Sequence, residues 1–256
     1  MPQLHNLAEP SNGKTTIRRD VDFDFSFAFQ PIVNARTQEV VSFEALVRGP
    51  GGESSADVFS KVSKGNLLYF DQACRLKAIQ LASRLNLQTQ LNINLLPKSI
   101  YLTGLNIRTT LQASLECGFP VENLVFEVSE AGRLKDYRRM INIFKSHQEY
   151  GFQTAIDDFG TGYSGLRLLV EYQPDFIKLD RNLIADIHQD HVRQTIVQAM
   201  GHVCRQLDIE MMAEGVEKAE EYHWLHRAGV NLFQGYYFAR PVFEALSDVH
   251  PGVFSL

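Results

Sequence analysis

A chain of 256 residues, 45% hydrophobic and 21% charged, carries enough apolar surface for one sizeable core. Its formal net charge of -5, without a basic run, argues against a polymeric nucleic-acid binder, which needs a clustered positive face. No apolar run approaches the roughly 20 residues of a membrane span, and the polar start lacks a signal peptide's apolar segment, so a soluble, cytoplasmic protein is expected.

Residues 1–22 read as a flexible lead-in of Pro, Ser, Asn, Gly and Thr, followed by one domain over 23–256. Strand-like apolar runs come at 25–33, 39–47, 90–96, 124–129, 152–157, 175–179, 209–213 and 230–234. Between them the spacing predicts a helix over 70–87 with Ala73, Leu76, Ile79, Ala82 and Leu85 on one apolar face. Asp136 is placed to cap a second helix that runs to about Tyr150, with Gly151 as its stop. A third, 191–207, turns Ile196, Val197, Met200 and Val203 inward. Strands alternating with helices give an α/β fold, a TIM-like (β/α)8 barrel. The first two strands are separated only by NARTQ, too short for a parallel crossover, so the first strand should run antiparallel.

Polar residues interrupt these apolar strands near their C-terminal ends. Glu44, Asn94, Glu127, Asp157, Asp158, Lys178, Glu214 and Gln234 all fall there. A buried unpaired charge costs several kcal/mol, roughly, so each needs a partner or an ion. In a barrel those strand ends meet at one mouth. Glu44, Leu46 and Arg48 share a face, which sets Arg48 at the rim to meet an anion. The donors Glu44, Asn94, Glu127, Asp157 and Asp158 are all oxygen, suiting Mg²⁺ or Mn²⁺ rather than zinc. Two such ions favour in-line displacement at phosphorus, with Lys178 as a fixed cation.

Other signals carry less. The glycine loop FGTGYSG, 159–165, lacks a P-loop's lysine and reads as a loop that shapes the site. His188 and His191, like His223 and His226, have metal spacing but fall outside the strand ends, on what should be solvated helix faces. Cys74, Cys117 and Cys204 form neither a disulfide framework nor a zinc knuckle. Trp224, Tyr236, Tyr237 and Phe238 read as packing.

Taken together, Gln30-Pro31-Ile32, EALVR (44–48), DDFGTGYSGL (157–166), IKLD (177–180), AEGVE (213–217) and QGYYFARP (234–241) resemble an EAL domain over about residues 25–245. The resemblance implies a bacterial phosphodiesterase that opens cyclic di-GMP to linear 5'-pGpG. It implies metal ligation by Glu44, Asn94, Glu127, Asp157 and Asp158, and catalysis by Lys178 and Glu214 together with Glu44 and Asp158. Gln30, Leu46, Arg48, Asp180 and Gln234 fall on the substrate side, and Glu130 anchors the glycine loop. Leu95 stands where many members have serine. Ca²⁺ is expected to inhibit, since its loose coordination activates water poorly, and the chain leaves room for a sensory or regulatory protein partner. The resemblance also implies a homodimer through about Leu166 to Ile187, including Tyr172 and Phe176.

Overall fold

The structure, a computed structural model, describes residues 21–96, 103–130, 137–162 and 165–255. A β-hairpin begins the barrel: β1 (Ser26–Asn34) and β2 (Glu39–Arg48) pair antiparallel, with Gln30 opposite Glu44. Asn34 closes the link, its side-chain oxygen accepting from the backbone N–H groups of Arg36 and Thr37. Parallel strands follow: β3 (Gln90–Asn94), β4 (Leu124–Ser129), β5 (Gln153–Phe159), β6 (Phe176–Leu179), β7 (Glu210–Ala213) and β8 (Leu232–Phe233). β8 returns to β1, antiparallel, and the barrel closes. The expected reversal of the first strand is therefore observed on both its sides. A two-residue strand that the sequence did not announce, β9 (Val242–Phe243), adds to β1 at Ala28 and Phe29.

Helices fill the crossovers. They are α1 (Ser55–Lys61), α2 (Leu67–Arg84), α3 (Thr103–Cys117), α4 (Tyr137–Glu149), α5 (Gly165–Glu171), α6 (Arg181–Ile184), α7 (His191–Leu207) and α8 (Ala219–Arg227). The cap expected at Asp136 lies outside the described residues. On α2, Ile79 and Ala82 are buried as expected, and Ala73, Leu76 and Leu85 pack half-buried against the same core. On α7 one residue departs. Val197 and Met200 face inward, but Ile196 is 43% exposed, because one residue turns the helix by about 100° and the buried face runs through Gly201 and Cys204.

The main core lies between strands and helices, where Phe27, Phe29, Ile93, Phe126, Ile177 and Phe233 meet the helical apolar faces. A smaller cluster of Ile32, Val125, Ala155, Phe176, Met212 and Leu232 fills the barrel itself. Phe176 is thus an interior plug and Tyr172 is 3% exposed with its hydroxyl bonded to Thr154, so neither is available to a second subunit. Within the expected stretch the exposed apolar residues are instead Leu166 and Val170, one turn apart on α5. Among the described residues no helix is long and apolar enough to cross a membrane.

Candidate active site

Alternate residues of a strand face the same side, so the barrel interior is built in layers. Two residues beyond Val125, Ala155, Phe176, Met212 and Leu232 come Glu127, Asp157, Lys178, Glu214 and Gln234. β1 runs the other way, and its polar residue Gln30 comes two before Ile32. The apolar layer seals the barrel below, and the polar layer lines the mouth above it.

Lys178, fully buried, is the centre of that layer. Its ammonium lies 3.1 Å from Glu44, 3.0 Å from Glu127, 3.1 Å from Asp157 and 3.2 Å from Glu214. Asn94 donates to Glu44 at 2.6 Å, and Gln234 donates to Glu44 at 2.8 Å and to Gln30 at 3.3 Å. Gln30 in turn donates to the Ala239 carbonyl. Four carboxylates against one ammonium leave the cluster short of positive charge, and the titration of its members reflects this. Burial pushes Glu127 up to about 8, against the pull of Lys178. Burial also raises Glu214 well above the ordinary carboxylate range. Asp157 is held low, its burial outweighed chiefly by the charge of Lys178. Lys178 resists its own burial because Asp157, Glu127, Glu214 and Glu44 keep it charged.

Among the described residues no three acidic, histidine or cysteine side chains form a ready-made cation cage, since Lys178 stands between the carboxylates. The donor set nonetheless fits a hard divalent cation. It is all oxygen, and its four carboxylates outnumber the one ammonium among them.

Asp157 and Asp158 are neighbours, which on a regular strand would face opposite ways. The β5–β6 register shifts after Ile156, and Asp158 takes a left-handed φ of 54°. Such bulges re-aim side chains beside active sites. Ser129 donates to the Asp158 carboxylate at 2.7 Å, and burial raises the group's pKa. Beyond it the chain turns at the glycine loop, where Glu130 accepts from the N–H groups of Gly160 and Gly165, both at 2.7 Å. A side chain at 165 would press on Phe159 and Glu130, so glycine is required for this approach. Arg48, half-buried at the rim, donates to the Val47 carbonyl and lines a cavity of about 290 Å³ with Leu46, Phe59, Phe70 and Asn94. Asp180 caps α6, accepting from the Asn182 N–H at 2.8 Å, and its charge acts on Asp158. The structure therefore gathers Gln30, Glu44, Asn94, Glu127, Asp157, Lys178, Glu214 and Gln234 tightly. Leu46, Arg48, Glu130, Asp158 and Asp180 lie around them.

The EAL domain family model matches residues 15–241. The chain belongs to the EAL family. Its fold superposes with a TM-score of 0.89 on a standalone versatile EAL protein from Vibrio cholerae O395, solved in its c-di-GMP-bound form. That pair is 49% identical, covering 93% of this chain and 100% of the other. Klebsiella pneumoniae BlrP1, in a manganese and cyclic di-GMP complex, is 36% identical with a TM-score of 0.85 over 91% of this chain and 59% of its own. Among curated Escherichia coli relatives, the blue light- and temperature-regulated antirepressor BluF is 31% identical over 224 residues, 87% of this chain and 56% of its own length. The cyclic di-GMP phosphodiesterase PdeR is 30% identical over 240 residues, 89% of this chain and 36% of its own. The EAL chain thus spans about half the length of such relatives, or less.

Three supports of this EAL mouth escaped the sequence reading. Ser42 donates to the Asn92 side-chain oxygen, and Asn92 donates to Glu127 at 2.7 Å. Both stand two residues below a site residue, Ser42 under Glu44 and Asn92 under Asn94, so strand alternation could have found them. Asp71, paired with Arg75 inside α2, accepts from the Leu96 N–H at 2.9 Å and fixes the chain just past Asn94. Its signal was a D-x-x-x-R spacing set in a helix that packs against the core. The remaining aromatics mostly pack: Tyr237 stacks on Tyr222 and Phe238 is buried, while Tyr236 is exposed under Arg240. His226, expected on a solvated face, stacks on Tyr222 instead.

Proposed function

We propose that this EAL protein is a divalent-cation-dependent phosphodiesterase that opens cyclic di-GMP to linear 5'-pGpG. The observation that carries this reading is the meeting of Glu44, Glu127, Asp157 and Glu214, one from each of four strand ends, within 3.2 Å of buried Lys178. The substrate class is supported by the name of PdeR and by the cyclic di-GMP held in the Vibrio and Klebsiella structures. Glu44, Asn94, Glu127 and Asp157 are the ligands for Mg²⁺ or Mn²⁺, with Asp158 for a second ion and Glu214 supporting it. Bound there, the ions supply an activated water and neutralise charge that develops at phosphorus.

The chain's own groups do the rest. Water adds to phosphorus, the bond to the 3' oxygen breaks, and the phosphate stays on the 5' oxygen as a monoester. Lys178 keeps a fixed positive charge beside the reacting oxygens, in a site where charge is poorly screened. Arg48 takes a substrate phosphate at the rim, and the cavity behind Leu46 has room for a base. Gln30 and Gln234 hold Glu44 and face the substrate with Asp180, while Glu130 keeps the glycine loop in place. Chromatography after incubation with Mg²⁺ or Mn²⁺ is expected to give pGpG, with Glu44→Gln below about 1% of normal turnover, a loss in the range of electrostatic site mutations. Calcium is expected to inhibit, since it activates water poorly in its looser shell. Near-normal turnover by Glu44→Gln would reject the assignment. BluF, named an antirepressor, supports a second reading, a receptor that binds without hydrolysis. Bound but intact cyclic di-GMP after incubation is its signature.

The same reading takes residues 1–22 as a lead-in and 23–256 as the EAL domain, working in the cytoplasm beside sensory or regulatory partners. It also takes the active form as a homodimer that pairs through Leu166 and Val170 of α5, 64% and 81% exposed. Sedimentation should show a dimer that Leu166→Asp with Val170→Asp converts to monomer. A concentration-independent monomer with full activity rejects the dimer.

A further inference from the structure

A second cavity, of about 420 Å³, is not at the mouth. It opens at the opposite end of the barrel, the floor, where β7 and β8 begin and the β1–β2 link crosses beneath them. Its volume falls within the range of small-molecule sites. Arg36 comes from the link, Arg205 and Asp208 from the end of α7, Glu210 from the first residue of β7, and Asn231 from the approach to β8. The walls between them are Cys204, Ile209 and Met211. The link is tied down by the Ala35 N–H, which donates to the Asn231 carbonyl at 2.8 Å. Gly201 leaves the cavity open: a side chain there would meet Met211 at 3.2 Å and the Arg205 guanidinium at 3.4 Å.

The charged groups of this floor, Arg36, Arg205, Asp208 and Glu210, are all exposed, and Asp208 is also the left-handed C-cap of α7. Among the described residues neither Arg36 nor Arg205 has an ion-pair partner, and the Asp208 and Glu210 carboxylates have none either. Two cations and two anions on the rim of one cavity are complementary to a ligand that carries acceptors and donors on separate edges. Guanine does. Its O6 and N7 accept two hydrogen bonds from one arginine, and its N1–H and amino group donate to one carboxylate. Adenine presents an amino group where guanine has O6, so the arginine would face a donor. A bare phosphate fits less well, because the C-terminal, negative ends of α7 and α8 border this cavity through Asp208 and Gly229.

We propose that the floor cavity is a second, guanine-nucleotide site, remote from the mouth, with Arg205 and Arg36 on the acceptor edge and Asp208 and Glu210 on the donor edge. It goes beyond the hydrolytic reading and does not depend on it, since binding at the floor needs no turnover at the mouth.

The test is calorimetric titration of the full chain with GMP in EDTA, so that no divalent cation draws the phosphate to the mouth. One saturable site is expected, weakened at least tenfold by Arg205→Ala and by Asp208→Asn, and unchanged by Arg48→Ala at the mouth rim. Asparagine keeps the left-handed backbone of Asp208, φ 61°, so that variant changes the hydrogen bonding and not the fold. AMP and inorganic phosphate should each bind at least tenfold more weakly than GMP. No saturable GMP binding, equal binding of AMP or phosphate, or a loss caused by Arg48→Ala but not by the floor variants overturns the proposal.

Discussion

Asn92 reaches no solvent and, on the proposed reading, no substrate, yet it fixes one oxygen of the fully buried Glu127. Replacing it with leucine would leave that oxygen without a donor, at a cost of about 1–3 kcal/mol. Supports of this kind typically change metal affinity by about 10–100-fold. Asn92→Leu is therefore expected to weaken Mn²⁺ binding by at least tenfold in calorimetric titration, with a lower melting temperature. Unchanged Mn²⁺ affinity would mean that Glu127 needs no such support or is not a ligand. The contrast with Glu44, Glu127, Asp157 and Lys178 explains what was legible at this scale. A charge inside an apolar strand is conspicuous because its burial is costly, so the sequence exposes it. A serine or asparagine two residues deeper is satisfied by its neighbour, and nothing in its identity says that it is buried.

At the scale of elements, the turn from β5 into α5 carries the greatest demand. It must bring Asp157 and Asp158 together and then reverse direction, and it does so with a register shift and a left-handed aspartate. None of this is written in residue type alone; a D-D pair also caps helices. The direction of β1 was legible because a short link forbids a parallel crossover, whereas β9, two residues long, leaves no periodicity to read. Likewise the residues expected at a subunit contact, Tyr172 and Phe176, have the composition of an interface but the burial of a core. Glu130, just past the neighbouring β4, holds the turn by two charge-assisted bonds to backbone N–H groups. Glu130→Ala should lower cyclic di-GMP turnover with Mn²⁺ by about tenfold or more, the loss expected when positioning fails by an ångström. The half-exposed loop should cost little global stability, and Glu130→Gln, which keeps one acceptor, should recover part of the rate. Equal rates for the alanine variant and the parent would show that the loop holds itself.

Stability of the whole molecule depends on pH through groups far from the mouth as well as within it. His147 on α4 is 6% exposed, set edge-on to Phe126 at 5.0 Å, with Nδ1 bonded to the Ile143 carbonyl. Burial, aided by the charge of Arg75, lowers its pKa to about 4. In the unfolded chain the same group titrates near 6.5. Above that value both states hold it neutral and it has no effect on stability. As pH falls below it, the unfolded chain takes a proton that the folded protein refuses, so stability drops, and the loss levels off only below about 4. Glu127 acts with the opposite sign: its folded pKa of about 8 exceeds the unfolded value, so its protonation stabilises the fold as pH falls. A raw pH profile therefore mixes the two. Comparing the parent with His147→Phe cancels the mouth, because only the difference between them is read. Urea unfolding at pH 7.5 and pH 5 should show the parent losing about 2 kcal/mol more than the variant over that interval. A difference that does not change with pH would mean that His147 is charged in the folded barrel, and that the aromatic packing around it tolerates a cation.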